Sequence, residues 1–103
     1  MDIKNLAQLK RTIKVGTKIE TVEHFDNPLR NGLISEVTKV QTNGFYFRPV
    51  GEVIPALGRL WEANGGLGLW VGYGTTKDWS FCGVVQYKNY DGSPIVTYRI
   101  LSE

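Results

Sequence analysis

The chain has a single cysteine and a single histidine in 103 residues. One cysteine, Cys82, excludes an intrachain disulfide and fits a reducing compartment. Its neighbours Ser80, Phe81, Gly83 and Val84 predict a buried, inert thiol instead of a nucleophile. Cys82 and His24 together cannot furnish a tetrahedral metal site without carboxylates from elsewhere, so no metal is expected. The same pair is conceivable as nucleophile and base, yet nothing local to either supports catalysis. His24 is expected near a strand end as an ordinary polar residue. The sequence also lacks a long apolar run and a signal-peptide core, so no membrane segment is expected. With the start at Met1, this leads to the expectation of a cytoplasmic protein. Charge of one sign is scarce too. The net charge of +2 is too weak to diagnose a nucleic-acid partner.

What is present describes a small globular domain. A length of 103 residues predicts a single domain over 1–103 that can bury a core without much margin. Hydrophobic content of 42% and charged content of 21% are ordinary globular values. Charge is uneven, however. Residues 1–18 hold Lys4, Lys10, Arg11, Lys14 and Lys18 against Asp2 alone. This is either a solvated helix face or a docking patch for phosphates or an acidic protein.

Ile3, Leu6, Leu9 and Ile13 recur at helical spacing. They predict an N-terminal helix within 1–15, with Asp2 as N-cap and Gly16 as its end. So short a helix is unstable alone in water and must pack on the rest of the chain. Residues 16–103 read as β-structure. Strands are expected at Lys18–Phe25, Leu33–Gln41, the run after Asn43-Gly44, Leu69–Tyr73, Trp79–Tyr87 and Ile95–Leu101. Breaks fall at Asp26-Asn27-Pro28, Asn31-Gly32, Gly74–Asp78 and Asp91-Gly92. Residues 49–68, punctuated by Pro and Gly, predict a long irregular loop that could form a short helical turn around 57–63. The glycine runs Gly65-Gly66-Leu67-Gly68 and Gly72-Tyr73-Gly74 lack the strand, loop and helix context of a phosphate cradle.

The sharpest local signal is Asn43-Gly44 between β-prone runs, which predicts a two-residue hairpin turn. That register sets Val40 against Phe47 and Lys39 against Arg48. One face then carries Val40, Phe45 and Phe47 as core. The other carries Lys39, Gln41, Tyr46 and Arg48 as a surface able to bind. Tyr46, Trp61, Trp70, Tyr73, Trp79, Tyr87, Tyr90 and Tyr98 cannot all be buried in so small a domain. The plain expectation puts Trp70 and Trp79 in the core and the tyrosines at its rim. Exposed aromatics beside Arg48, Arg59 and Lys77 would instead suit a protein interface or stacking on single-stranded bases.

The run Val15-Gly16-Thr17-Lys18-Ile19 through Arg30-Asn31-Gly32-Leu33-Ile34-Ser35-Glu36-Val37 resembles an SH3-like barrel opening and the KOW motif of ribosomal and transcription proteins. Gly32 would then occupy the turn. A wider resemblance rests on Ile3-Lys4-Asn5-Leu6 with Val15-Gly16-Thr17, on Val40-Gln41-Thr42-Asn43-Gly44-Phe45-Tyr46, on Ala63-Asn64-Gly65-Gly66-Leu67-Gly68 with Trp70 and Tyr73, and on Lys77-Asp78-Trp79-Ser80-Phe81. On these residues the chain resembles short proteins encoded on plasmids, phages and conjugative elements of Gram-positive bacteria. The resemblance implies a mobile-element setting and brings no catalytic residues with it.

The expected fold is mainly β: a helix packed on a small, bent antiparallel sheet or SH3-like barrel of about five to six strands. The expected function is a non-enzymatic binding module without cofactor. It takes a protein partner, one form of which is an inhibitor of a host defence nuclease. The candidate partner surface is Tyr46, Arg48, Arg59, Trp61, Trp70, Tyr73 and Lys77. The alternative is nucleic-acid binding through the basic patch Lys4, Lys10, Arg11 and Lys14 with exposed aromatics.

Overall fold

A computed structural model describes residues 3–50, 62, 64–82 and 84–101. Among these residues one α-helix, α1 (Leu6–Thr12), precedes seven strands. These are β1 (Lys18–His24), β2 (Ile34–Gln41), β3 (Gly44–Pro49), β4 (Leu69–Gly72), β5 (Trp79–Phe81), β6 (Val85–Lys88) and β7 (Pro94–Leu101). They form one sheet in the order β4-β3-β2-β1-β7-β6-β5, and every pair is antiparallel. The sheet thus has more strands than expected. The extra one arises because the stretch 79–87 is two strands, not one. The chain reverses between Phe81 and Val85, and Trp79 pairs with Tyr87.

Chain connectivity forces the sheet to curl. β4 and β5 are consecutive in sequence yet lie at opposite ends of the strand order. Seven strands laid flat would separate the outer two by about 29 Å, at about 4.8 Å per strand. The link between Gly72 and Trp79 reaches at most about 25 Å when fully extended. Part of it is wound into a 3-10 turn at Thr76–Asp78, which shortens it further. A flat sheet is therefore excluded, and the strands bend into a half-barrel. The Trp79 indole Nε1–H donates to the Tyr73 carbonyl at 2.6 Å and ties the two edges together. Register shifts between Thr21 and Glu23 in β1 and between Val37 and Lys39 in β2 mark bulges. Such bulges sharpen the local bend.

α1 is shorter than its apolar stripe. Its N-cap is Asn5, whose side chain accepts from the Gln8 N–H at 2.8 Å. Asp2 lies outside the described residues. The helix stops with Ile13 already extended, and Gly16 (φ 97°) turns the chain into β1 instead of ending the helix. Ile3, Leu6, Leu9 and Ile13 are all buried and join the core formed by Ile19, Val37, Phe45, Phe47, Trp79 and Tyr98. Lys4, Lys10, Arg11 and Lys14 stay exposed. The helix is stable because that stripe leaves water, not because of its length.

The hairpin forms where Asn43-Gly44 predicts it, but its turn is Thr42-Asn43. Gln41 pairs with Gly44, Val40 with Phe45, Lys39 with Tyr46, and, past the bulge, Val37 with Phe47 and Glu36 with Arg48. Asn43 does not adopt positive φ, nor does Gly44. Gly44 is needed for another reason. A Cβ there would strike the Val71 carbonyl of β4 and come within 2.6 Å of the Trp70 ring. Phe45 and Phe47 are buried as expected, whereas Val40 sits at the hairpin's end and is 38% exposed. Cys82 is exposed, contrary to the expected buried thiol, because it lies at the β5–β6 reversal and not within a strand.

Phe47 is fully buried, with Phe45 and Tyr98 rings each 5.9 Å away. Replacing it by Ala should cost about 3–5 kcal/mol in urea unfolding, whereas Arg48→Ala should cost about 0.5 kcal/mol or less. Equal losses at the two positions would contradict this assignment of faces.

Candidate functional site

The outer face of β2, β3 and β4 carries one aromatic row. Lys39 pairs with Tyr46, and Tyr46 pairs with Trp70, so the three side chains share a face. The Tyr46 and Trp70 rings lie 4.9 Å apart at a tilt of 54°. Trp70 lies close over Gly44 and beside Gly72, where no side chain stands in its way. It packs against the Gly44 backbone and the Tyr46 ring and keeps 38% of its surface exposed. Arg48 extends the row on β3, and its guanidinium donates to the Gly66 carbonyl at 2.8 Å.

The remaining candidates are dispersed. Tyr73 is only 3% exposed and packs on Phe45, so it belongs to the core and not to a contact surface. Trp79 is core as expected, but Trp70 is not, and Tyr98 is buried where a rim position was expected. Lys77 is exposed in the Thr76–Asp78 turn. Lys10 holds its ammonium 5.4 Å from the Tyr73 ring centre, a cation–π contact that binds α1 to the barrel end. Tyr90 is 98% exposed in the β6–β7 turn, where Asp91 caps Ser93. Arg59, Trp61 and the turn around 57–63, save Glu62, lie outside the described residues. Among the described residues no group of three or more His, Cys, Asp or Glu gathers, and no helix is long and apolar enough to cross a membrane.

A second feature was not legible in the sequence. The half-barrel holds an open cleft of about 450 Å3. It is lined by Phe47 of β3, by Leu69–Gly72 of β4, Trp70 of the outer row included, and by Tyr87, Ile95, Val96 and Tyr98 of β6 and β7. His24 and Arg30 enter from the β1–β2 connection. Arg30 sits in the Pro28–Arg30 turn and is only 9% exposed. Nothing in Pro28-Leu29-Arg30-Asn31-Gly32 distinguishes it from a solvated turn arginine. Its burial is legible only in the fold.

The turn carrying Arg30 is braced on β1. Gly32 N–H donates to the Thr21 carbonyl at 2.6 Å, Thr21 N–H to the Leu33 carbonyl at 2.8 Å, and His24 N–H to the Asn31 side chain at 2.7 Å. The His24 Nδ1 accepts from the Asn27 N–H at 2.9 Å, which leaves Nε2 as the protonated nitrogen. Burial, reinforced by the charge of Arg30 and opposed by Asp26, holds the imidazole below its ordinary pKa. Burial also lowers the Arg30 guanidinium. It pushes the Tyr98 phenol up to about 12, so that hydroxyl stays protonated at neutral pH.

No protein-family model, curated protein or solved structure matches this chain.

Two outcomes follow from this geometry. Adding a Cβ by Gly44→Ala should cost about 1–3 kcal/mol and displace Trp70, seen as a red shift of tryptophan emission. An unshifted spectrum with unchanged stability would refute the close approach. The lowered His24 pKa means that the folded state binds that proton less readily than the unfolded chain. The resulting stability is complete above the ordinary imidazole value of about 6.5 and is lost as pH falls from there through the lower folded value. Urea midpoints should therefore drop further for the natural chain than for His24→Gln between about pH 7.5 and about pH 5.

Proposed function

We propose that this chain is a non-enzymatic binding module that docks a protein partner through the Lys39–Tyr46–Trp70 row. The observation that carries this reading is the exposed Trp70, packed over Gly44 and against Tyr46. A rigid aromatic loses little conformational entropy on binding, and Trp, Tyr and Arg dominate interface hot spots. Lys39 and Arg48 flank the rings, so the complementary surface would offer an apolar pocket rimmed by acidic groups. In the mobile-element setting that the sequence resemblance implies, a host defence nuclease is the partner class to test first.

A second reading has one observation in its favour. Lys4, Lys10, Arg11 and Lys14 are all exposed on or beside α1. That arrangement would suit phosphates, yet the net charge of +2 leaves little long-range attraction.

The test is capture from a bacterial lysate with the natural chain and with Trp70→Ala, read by mass spectrometry. The expected result is a defined protein whose recovery falls at least tenfold with Trp70→Ala and responds weakly to salt. Fluorescence anisotropy with a random oligonucleotide at physiological ionic strength should show no binding. Micromolar oligonucleotide binding with a steep salt slope, lost on neutralising Lys4, Lys10, Arg11 and Lys14, would promote the nucleic-acid reading instead.

A further inference from the structure

We propose that the open edge of β4 takes an extended strand of the protein partner as an eighth strand of the sheet, antiparallel, with apolar side chains entering the cleft and a carboxylate meeting Arg48. The proposal rests on the docking role given above to the Trp70 row, and it names what docks there: backbone in extended form, not a helix.

The register shows which backbone groups are open. Tyr73 N–H donates to the Asn43 carbonyl at 2.9 Å, and Gly72 lies opposite Gly44. Bonded and non-bonded pairs alternate along an antiparallel ladder, so Val71 with Phe45 and Leu69 with Phe47 are the bonded pairs. The N–H and C=O groups of Trp70 and Gly72 therefore point away from β3. β4 ends the sheet, and among the described residues no strand pairs with its far side. The flanking carbonyls are already engaged. That of Gly68 accepts from the Asn64 side chain at 2.8 Å, and that of Tyr73 from the Trp79 indole at 2.6 Å. The open stretch is thus the backbone of Trp70 and Gly72.

That edge faces the cleft. Alternate residues of a strand point to opposite faces, yet the consecutive residues Leu69, Trp70, Val71 and Gly72 all line it. A strand presents four residues in a row to one space only along its edge. Across the gap stand Ile95, Val96 and Tyr98. The volume of about 450 Å3 gives room to side chains that share the inward face of Leu69 and Val71. Cleft and outer row meet at Trp70, so one added strand would engage both. Its alternate side chains would lie on the indole and in the cleft, as in other cases of strand addition.

An open edge is normally blunted by charge or proline. Leu69-Trp70-Val71-Gly72 carries neither. The charge that stands beside it is Arg48. Arg48 packs by Gly68, which has no side chain to cover it, and its exposed guanidinium reaches the Gly66 carbonyl at 2.8 Å. Among the described residues no carboxylate lies within ion-pair reach of that guanidinium. An acidic residue opposite Gly68 on the added strand would complement it.

The test uses the full chain and the pentapeptide acetyl-Thr-Val-Tyr-Val-Glu-amide, read by amide spectra and hydrogen exchange. In register its Thr lies opposite Gly72, its Tyr opposite Trp70 and its Glu opposite Gly68. At saturating peptide the Trp70 and Gly72 amides should exchange at least tenfold more slowly, with Val71 unchanged. N-methylation of the peptide Tyr, whose N–H faces β4, should weaken binding at least tenfold. N-methylation of the Val that follows, whose N–H faces away, should leave binding nearly unchanged. Replacing the peptide Glu by Gln should weaken binding to the natural chain and not to Arg48→Gln. No spectral shift at millimolar peptide, equal loss at the two N-methyl positions, or protection confined to β5 would overturn the proposal. The peptide needs no captured protein, so this outcome is separable from the docking role itself. A captured protein lost with Trp70→Ala, beside Trp70 and Gly72 amides that the peptide leaves unprotected, would sink the strand pairing and leave the docking row standing.

Discussion

The link between β4 and β5 holds together two strands from opposite ends of the sheet, and the rest of the molecule follows from that constraint. A sheet whose two edges are joined by so short a connection has to curl. The tie from the Trp79 indole to the Tyr73 carbonyl fixes how far the edges approach at one end. A closed barrel of this size would fill its own interior with side chains. The half-barrel is filled by Phe45, Phe47 and the α1 stripe and leaves a cleft against Phe47. Core and cleft are thus two consequences of one topological fact.

Pairing between the ends of the chain gives this arrangement its cooperativity. β1 pairs with β7 from Lys18 opposite Leu101 to His24 opposite Val96. Contacts this distant in sequence carry a large loop-closure cost before they stabilise anything. The short strands β5 and β6 depend on β7 for their place, and β4 depends on β3. Loss of the central strands would therefore release both the aromatic row and the cleft walls.

Charge is used locally, not globally. A net charge of +2 gives the molecule little field at a distance. Surface pairs such as Lys18–Glu36 and Arg99–Glu20 are exposed and contribute little. Arg30 differs in kind, because a cation inside the half-barrel acts through low dielectric on His24 and Tyr98. The outer row has the opposite design: its specificity would come from a packed indole, with Lys39 and Arg48 setting orientation.

Period and turn chemistry decided a good deal before any tertiary contact formed. The spacing of Ile3, Leu6, Leu9 and Ile13 determined which helix face is buried, because helical side chains at those intervals share one stripe. Alternation determined that Phe45 and Phe47 point inward and Tyr46 outward. The Asp91-Gly92 reversal, with Gly92 at φ 87°, was equally local. The turn at Asn43 was located but displaced by one residue, since the approach of Trp70 and Val71, and not positive φ, requires Gly44. Phe45 and Phe47 still point inward as alternation requires, whereas Val40, which meets Phe45 instead of Phe47, stays exposed at the hairpin's end. Tertiary structure alone decided the fates of the aromatics and of Arg30. Alternation alone sets Trp70 and Tyr73 on opposite faces, but which face lies outside is decided by strand pairing and curl. Arg30 reads as an ordinary turn residue in the sequence. In the fold it is buried and lines a cleft with residues of β4, β6 and β7, contacts tens of residues apart that no local pattern encodes.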